Sequence, residues 1–74
     1  MGTVNIQMLK GRIAENGLNI KLLAEKTGIE RYAMYRKIKE AGRLMTVGDA
    51  NKIAQVLNLS DTDKLNIFFS QNVA

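Results

Sequence analysis

The fold is decided by residues 23–29, Leu23-Ala24-Glu25-Lys26-Thr27-Gly28-Ile29. Ala24 is small enough to let a second helix cross closely, and Gly28 tolerates the positive φ that a tight turn between two helices requires. Buried side chains on both sides of the turn would fix the crossing angle, and the residues suited to that role are Leu23, Thr27, Ile29, Met34 and Ile38. The spacing therefore predicts a helix-turn-helix, with one helix over about residues 20–27 and the next over about 30–39.

Upstream of this motif the sequence predicts one further helix, from Val4 or Asn5 to Glu15. Its apolar stripe at helical spacing consists of Ile6, Leu9 and Ile13. Gly17 is suited to a left-handed helix end, and Asn19 to the N-cap of the following helix. The helix-turn-helix is therefore expected to follow an N-terminal helix with one buried face.

Two capping boxes mark two more helices downstream, one at Thr46 with Asp49 and one at Ser60 with Asp63. Each pairs a hydroxyl N-cap with an acid at N3, where the free amide protons and the helix dipole favour it. The side chains expected to be buried are Val47, Ala50, Ile53, Ala54 and Leu57 in the fourth helix, and Leu65, Phe68 and Phe69 in the fifth. Because no alternating strand pattern occurs, the sequence predicts an all-α, compact bundle of about five helices in a single domain over residues 1–74.

The composition argues against several classes of protein. The chain has 74 residues and neither cysteine nor histidine, so it lacks disulfides, thiolate metal sites and the commonest general base. None of its six glycines is followed by the Lys-Ser or Lys-Thr of a phosphate-binding loop. We therefore expect no enzyme, and no metal, cofactor or small-molecule ligand. Since no apolar run is long enough for a membrane span and no signal-peptide pattern is present, we expect a soluble, cytoplasmic protein without a membrane partner.

The positive charge is concentrated in one segment. The chain carries 11 basic and 7 acidic residues, a net charge of +4 at pH 7. Residues 31–43 contain one acid, Glu40, and five basic residues, Arg31, Arg36, Lys37, Lys39 and Arg43. The whole excess therefore lies in this segment, and a concentrated positive field of that kind favours a polyanionic partner.

Several of these stretches resemble a known family. Residues 23–29 and 34–38 are similar to the helix-turn-helix of Cro and the lambda repressor, the XRE family. Residues 49–60, Asp49-Ala50-Asn51-Lys52-Ile53-Ala54-Gln55-Val56-Leu57-Asn58-Leu59-Ser60, resemble the fourth helix of that family and its exit. The resemblance extends over roughly residues 9–69 and is to phage and prophage regulators of this size. It implies a lambda-repressor-like bundle whose helices 2 and 3 form the helix-turn-helix, a recognition helix in the major groove of double-stranded DNA, and a homodimer on DNA.

Helical geometry assigns roles along the recognition helix. With Met34 and Ile38 directed toward the core, the opposite face carries Tyr32, Tyr35, Arg36 and Lys39. The residues predicted to read bases are Arg31, Tyr32, Tyr35 and Arg36. The residues predicted to contact the DNA backbone are Lys21, Lys37, Lys39 and Arg43. The residues predicted to hold the helix-turn-helix together, without contacting DNA, are Leu23, Ala24, Gly28, Ile29, Met34 and Ile38.

Three positions depart from the family's pattern. Glu30 stands where Ser, Thr or Asn usually caps the recognition helix, and two roles stay open for its carboxylate: accepting from a cytosine amino group, or orienting Arg31. Ile20 and Leu22 stand where polar residues are common, and many relatives contact a phosphate from the position of Ile20. The phosphate contact predicted here falls instead to Lys21.

The function that follows is that of a sequence-specific DNA-binding transcriptional regulator, Cro- or repressor-like. Two alternatives stay open: a phage DNA-binding factor for excision or packaging, and a helical protein-interaction adaptor that has lost DNA reading. The apolar surface of such an adaptor would consist of Met8, Ile20, Leu22 and Phe69, but the position of the net charge argues against it. The candidate interface of the expected homodimer is Leu65–Phe69, because a single helix face cannot bury all four of its apolar side chains.

Overall fold

The structure is a computed structural model that describes residues 4–69. It contains five α-helices over that range and no strand: α1 (Ile6–Glu15), α2 (Ile20–Thr27), α3 (Arg31–Lys39), α4 (Val47–Leu57) and α5 (Asp61–Phe68). The predicted all-α bundle of five helices is confirmed. The first helix begins slightly later than predicted because Asn5 is its N-cap rather than its first residue, and the Asn5 Oδ1 accepts from the Met8 amide at 3.1 Å.

Side-chain caps begin the helices that follow. The Asn19 Oδ1 accepts from the Leu22 amide at 2.8 Å, which confirms Asn19 as the N-cap of α2. The box at the start of α4 is complete, since Thr46 and Asp49 each donate a backbone amide to the other's side chain at 3.0 Å. Each of these bonds satisfies an amide that the helix itself leaves without an acceptor, so the caps fix where α2 and α4 begin.

The capping box predicted for α5 is only half formed. The Ser60 hydroxyl accepts from the Asp63 amide at 3.1 Å. The Asp63 carboxylate is directed toward α1 instead, where its Oδ2 lies 3.4 Å from the Nε of Arg12. Asp63 therefore links the start of α5 to α1, a tertiary contact that the local capping pattern did not reveal.

Two predicted helix ends are confirmed by their backbone angles. Gly17 has φ 70° beyond the end of α1, and Gly28 has φ 77° at the end of α2. The Gly28 amide donates to the Ala24 carbonyl at 2.9 Å, so the left-handed residue closes α2 and turns the chain toward α3. A side chain at this φ would be strained, which explains why the turn between the two helices uses glycine.

All five helices contribute to one core. Its buried members are Val4, Leu9, Ile13, Leu23, Ala24, Met34, Ile38, Met45, Ala50, Ile53, Leu57, Ile67 and Phe68. Helix α2 packs against both α3 and α4, and α5 packs against both α1 and α4. Helix α2 is therefore the support on which α3 rests. None of the helices described is long and apolar enough to cross a membrane.

The two residues before α1 form hydrogen bonds with the α3–α4 connection and with α5. The Val4 amide donates to the Ala41 carbonyl at 3.2 Å, and the Asn5 amide donates to the Ile67 carbonyl at 2.8 Å. A Cβ on Gly42 would overlap the Val4 side chain, so the absence of a side chain at residue 42 lets Val4 reach the core.

Two residues predicted to be buried are exposed. Val47 is 55% exposed at the first position of α4, and Leu65 is 57% exposed on α5. Helix α5 buries Ile67 and Phe68 instead, and the direction that these two share is about 110° from Leu65 at 100° per residue. Helical spacing allows both Leu65 with Phe68 and Ile67 with Phe68 to face the core, and packing against α1 and α4 selects the second pair. Phe69, predicted to be buried, is partly buried and packs against the core.

Candidate nucleic-acid interface

The turn between α2 and α3 is held by a buried hydroxyl as well as by Gly28. The Thr27 Oγ1 lies 2.9 Å from the Leu23 carbonyl, to which it donates, and accepts from the Ile29 amide at 3.4 Å. Of the residues predicted to hold the helix-turn-helix together, Leu23, Ala24, Met34 and Ile38 are buried and Ile29 is partly buried. The orientation of α3 on α2 is therefore fixed by close packing and by hydrogen bonds at the turn.

The outer face of α3 is almost entirely exposed. Met34 and Ile38 are the only two buried residues of this nine-residue helix. The exposed residues are Arg31, Tyr32, Tyr35, Arg36 and Lys39, and Tyr32 is 68% exposed. An α-helix with its side chains is about 10–12 Å in diameter, and the major groove of B-DNA is about 12 Å wide. The helix therefore presents a polar, cationic face of the size that enters a major groove.

Three depressions of the surface are lined in part by residues of α3. Arg31 and Tyr32 line a depression at its first turn, together with Lys21 of α2. Tyr35 lines a second, toward α1, and Arg36 lines a third, toward the α3–α4 connection. The side chains of α3 that are predicted to read bases therefore border open depressions of the surface.

Three basic residues of α3 have no acidic partner in the part of the chain that the structure describes. Arg31, Arg36 and Lys39 enter none of the ion pairs formed within residues 4–69. The guanidinium of Arg31 lies over the Tyr32 ring, 5.6 Å from its centroid. Unpaired charges on one exposed face attract anions most strongly, and guanidinium groups also suit bidentate recognition.

The other two basic residues of residues 31–43 are paired. Arg43 forms an ion pair with Glu40, but its side chain remains largely exposed and can also approach a phosphate. Lys37 is different, since its Nζ lies 2.7 Å from the Asp49 Oδ2 and 3.2 Å from the Leu44 carbonyl oxygen. Its side chain is only 18% exposed. The structure therefore gives Lys37, which the sequence predicts to contact the DNA backbone, two partners within the protein.

The Asp49 carboxylate is stabilised in its charged form. Burial raises the pKa of Asp49, but the Lys37 ammonium and the Thr46 amide, which both donate hydrogen bonds to it, lower it by more, so the pKa lies below its ordinary value. The carboxylate is 14% exposed. Lys37 and Asp49 therefore remain a charged pair at neutral pH.

Acidic side chains lie near the first turn of α3, whereas the charged side chains of its last turn are all basic. The Glu30 carboxylate accepts from the Ala33 amide at 2.8 Å, so Glu30 caps the helix and forms no ion pair with Arg31. Lys21 is exposed on α2 and lines the same depression as Arg31, together with Glu25 and Glu30. Lys21 thus lies beside the recognition helix, but with two carboxylates near it.

Sequence reasoning missed one basic residue beside α3. Lys10 of α1 lines the same depression as Tyr35 and Ile20. This depression is lined by residues of α1, of the start of α2 and of α3, an arrangement of the folded domain that no local pattern reveals. The exposed position of Lys10 on α1 was its only local signal.

The apolar surface expected of an adaptor is largely used inside the fold. Met8, Ile20 and Phe69 are partly buried and pack against the core. Leu22 is 37% exposed. These four residues therefore do not form a continuous exposed apolar patch.

The fold and this exposed cationic helix together define a helix-turn-helix protein of the DNA-binding class. Residues 8–66 match the family model of the Cro/C1-type HTH DNA-binding domain, and the chain belongs to that family. No curated protein and no solved structure matches the chain significantly. The resemblance to the XRE family is thus confirmed, and DNA binding is the property that the family shares.

Proposed function

We propose that this protein is a sequence-specific transcriptional regulator that inserts α3 into the major groove of double-stranded DNA. The observation that carries the proposal is the outer face of α3, where unpaired Arg36 and Lys39 lie together with two exposed tyrosines, while unpaired Arg31 is exposed on the first turn of the helix. Phosphates attract such a face regardless of sequence, whereas guanidinium and phenol groups can also distinguish base edges.

Base reading falls to the residues that point outward along α3. Arg36 lies in the middle of the exposed face, and a guanidinium bound to both the O6 and N7 of guanine contributes about 1–3 kcal/mol of discrimination. Arg31 lies over the ring of Tyr32, so two of the proposed base-reading side chains are in cation–π contact. Tyr32 and Tyr35 are suited to thymine methyl groups or to phosphate oxygens.

Backbone contacts fall to the basic residues around this face. Lys39 and Arg43 lie at and after the end of α3, and Lys21 lies beside its first turn. Lys10 joins this set because it lies beside Tyr35. These residues would supply affinity and fix the position of the domain without reading sequence.

We further propose that two copies bind one operator. Half-sites read by such dimers lie about 34 Å apart on one face of the DNA. The domain measures 35 × 22 × 19 Å, so two copies at that spacing would touch if their long axes lay along the DNA. Of the interface predicted at residues 65–69, Ile67 and Phe68 belong to the core, which leaves Leu65 as its exposed apolar member.

The test is selection from a pool of random DNA duplexes, followed by a salt titration on the selected duplex and on an unselected one. We expect enrichment of an inverted repeat, and affinity that falls with salt for both duplexes. Arg36→Ala should lower the preference for the selected duplex by about 1–3 kcal/mol. Lys52→Ala, which removes a positive charge from the exposed surface of α4, is the matched control and should retain it.

Two other outcomes would contradict the proposal in different ways. Salt-dependent binding without enrichment would favour an architectural or packaging role. Binding to neither duplex at low salt would favour the adaptor.

A second experiment tests regulation itself. The selected operator is placed in a promoter, and the transcript level is measured with and without the protein. Occupancy that leaves the transcript level unchanged would favour a role in excision or another non-transcriptional process.

A further inference from the structure

The recognition helix has few supports besides α2. Helix α3 packs chiefly against α2, and residues 40–46 connect it to α4. Two successive residues of this connection, Ala41 and Gly42, have positive φ angles of 56° and 75°. The connection is held by backbone hydrogen bonds, among them the one that the Gly42 amide donates to the Lys37 carbonyl at 2.7 Å, and a side chain that bridges α3 and α4 adds a further link between them.

Lys37 is that bridge. Its Nζ donates to the Asp49 Oδ2 at 2.7 Å and to the Leu44 carbonyl at 3.2 Å. The same Asp49 oxygen accepts from the Thr46 amide at 3.0 Å. One carboxylate oxygen thus joins the recognition helix to the N-cap of α4, and the lysine also holds the last part of the connection.

We infer that Lys37 is a positioning residue for DNA reading, which acts through Asp49 and Leu44 and does not bind a phosphate. If the ammonium moved to a phosphate, it would leave a mostly buried carboxylate without its counter-ion and a carbonyl without its donor. The phosphate would also lie close to the negative charge of Asp49. The inference rests on the proposed function, because what Lys37 positions is the face that carries the adjacent Arg36.

The salt dependence of DNA binding distinguishes a positioning residue from a phosphate contact. Lys37→Met keeps the length of the side chain and removes its charge. We expect it to weaken binding of the folded protein about tenfold, within the range of coupling between contacting residues, and to leave the slope of log K against log salt unchanged. Lys39→Met, the matched change on the same helix, should lower that slope by about 0.9. An equal loss of slope in both variants would overturn the inference.

Asp49→Asn should change DNA affinity in opposite directions for the two possible roles of Lys37, positioning residue and phosphate contact. Asparagine can still accept the Thr46 amide, so the cap is retained while the charge is lost. We expect weaker DNA binding, and a double variant with Lys37→Met that is no weaker than Lys37→Met alone. If Lys37 instead bound a phosphate, removing the competing carboxylate would strengthen binding and steepen the salt dependence.

Two further readouts exclude a merely structural role. Lys37→Arg retains a charged donor and should restore most of the affinity that Lys37→Met loses. Affinity that is unchanged in Lys37→Met, at a temperature where the variant is fully folded, would show that the pair stabilises the fold alone, and would overturn the inference.

The wild-type protein also provides a test that needs no variant to fold. The carbon-13 chemical shift of the Asp49 carboxyl group should stay unchanged when the selected duplex is added, because Lys37 keeps its partner. A shift toward that of an unpaired carboxylate would show that Lys37 leaves for the DNA, and would overturn the inference.

Failure of the inference can be told apart from failure of the proposed function. If the wild type binds no duplex, the proposed function fails. The bridge is then tested in the free protein by a double-variant cycle of Lys37→Met and Asp49→Asn, followed by urea unfolding. We expect the two changes to be non-additive there, and additive free energies of unfolding would overturn the bridge.

Discussion

Helices α3 and α4 are consecutive in the chain and similar in length, but they differ in how much of each is buried. Helix α4 buries four of its 11 residues and begins with a complete capping box. Helix α3 buries two of nine and is capped by a glutamate. The exposed positions of α3 thus contribute little to its own fold, and the comparison shows which helix stabilises the domain and which one is available to an external partner.

The charges of the two helices differ in the same way. Helix α4 carries one acid, Asp49 at its N-terminal end, and one base, Lys52. Helix α3 carries four basic residues and no acid. Three of the four lie in its second half, where the helix dipole favours cations. Lys37 is paired with Asp49, which leaves Arg36 and Lys39 as the basic residues of this half that enter no ion pair within residues 4–69.

The largest expected effect is the loss of a core side chain from α4. Ile53→Ala removes a fully buried side chain and leaves a cavity, so the free energy of unfolding should fall by about 3 kcal/mol. Val47→Ala on the same helix is the control, because its side chain is exposed, and it should change stability by less than about 0.5 kcal/mol. Urea unfolding followed by circular dichroism measures both. Equal losses would show that Val47 is buried after all.

The connection between the two helices should be nearly as sensitive. Gly42→Ala would place a Cβ against Val4 at a positive φ, and both the overlap and the backbone strain should lower the free energy of unfolding by about 2 kcal/mol. Gly11→Ala is the matched control. Gly11 lies within α1 with open space around it, so alanine there should stabilise the protein by about 0.5–1 kcal/mol. Opposite signs for the same chemical change are the expected result in thermal unfolding.

The exposed face of α3 should show the reverse pattern, with effects on binding and little effect on stability. Arg36→Ala should lower discrimination between the selected duplex and one with a changed guanine by about 1–3 kcal/mol. Lys39→Ala should weaken binding to both duplexes alike. The unfolding free energy should change by less than about 0.5 kcal/mol in each case. Identical binding profiles for the two variants would contradict the division between residues that read bases and residues that contact the DNA backbone.

Much of the fold could be predicted because its signals are local. Asn19, Gly28 and the Thr46–Asp49 box each act within one turn of their own position, so residue type and spacing suffice. Leu65 was mispredicted because its side of α5 and the side of Ile67 fit helical spacing equally well. Only the position of α1 and α4 decides between them, and that is a property of the packed domain.

The candidate site could likewise be predicted where its signals are local, but not where it depends on contacts between helices. The outward face of α3 follows from the burial of Met34 and Ile38 and from helical periodicity. The bond from Lys37 to Asp49 does not, because it joins residues of two different helices. A partial signal was present, since Lys37 directly precedes Ile38 and its stem lies beside the buried stripe. The DNA-contacting roles of the exposed residues stay predictions until the binding measurements above are made.

The smallest expected effect concerns the pair that joins the two helices. Because the pKa of Asp49 is lowered in the folded protein, its carboxylate contributes stability above the pKa of an unfolded aspartate, about 3.9, and that contribution is lost as the pH falls through the lowered folded value. A pair at this degree of exposure contributes about 1 kcal/mol or less. The urea midpoint of the wild type should therefore fall below about pH 4 more steeply than that of Asp49→Asn. Lys37→Met should reduce the same pH dependence by returning the Asp49 pKa toward its ordinary value. Wild-type and Asp49→Asn curves that run parallel from pH 6 to pH 2 would mean that neither Lys37 nor the Thr46 cap lowers the Asp49 pKa in the folded protein, and that the ion pair adds nothing to the link between α3 and α4.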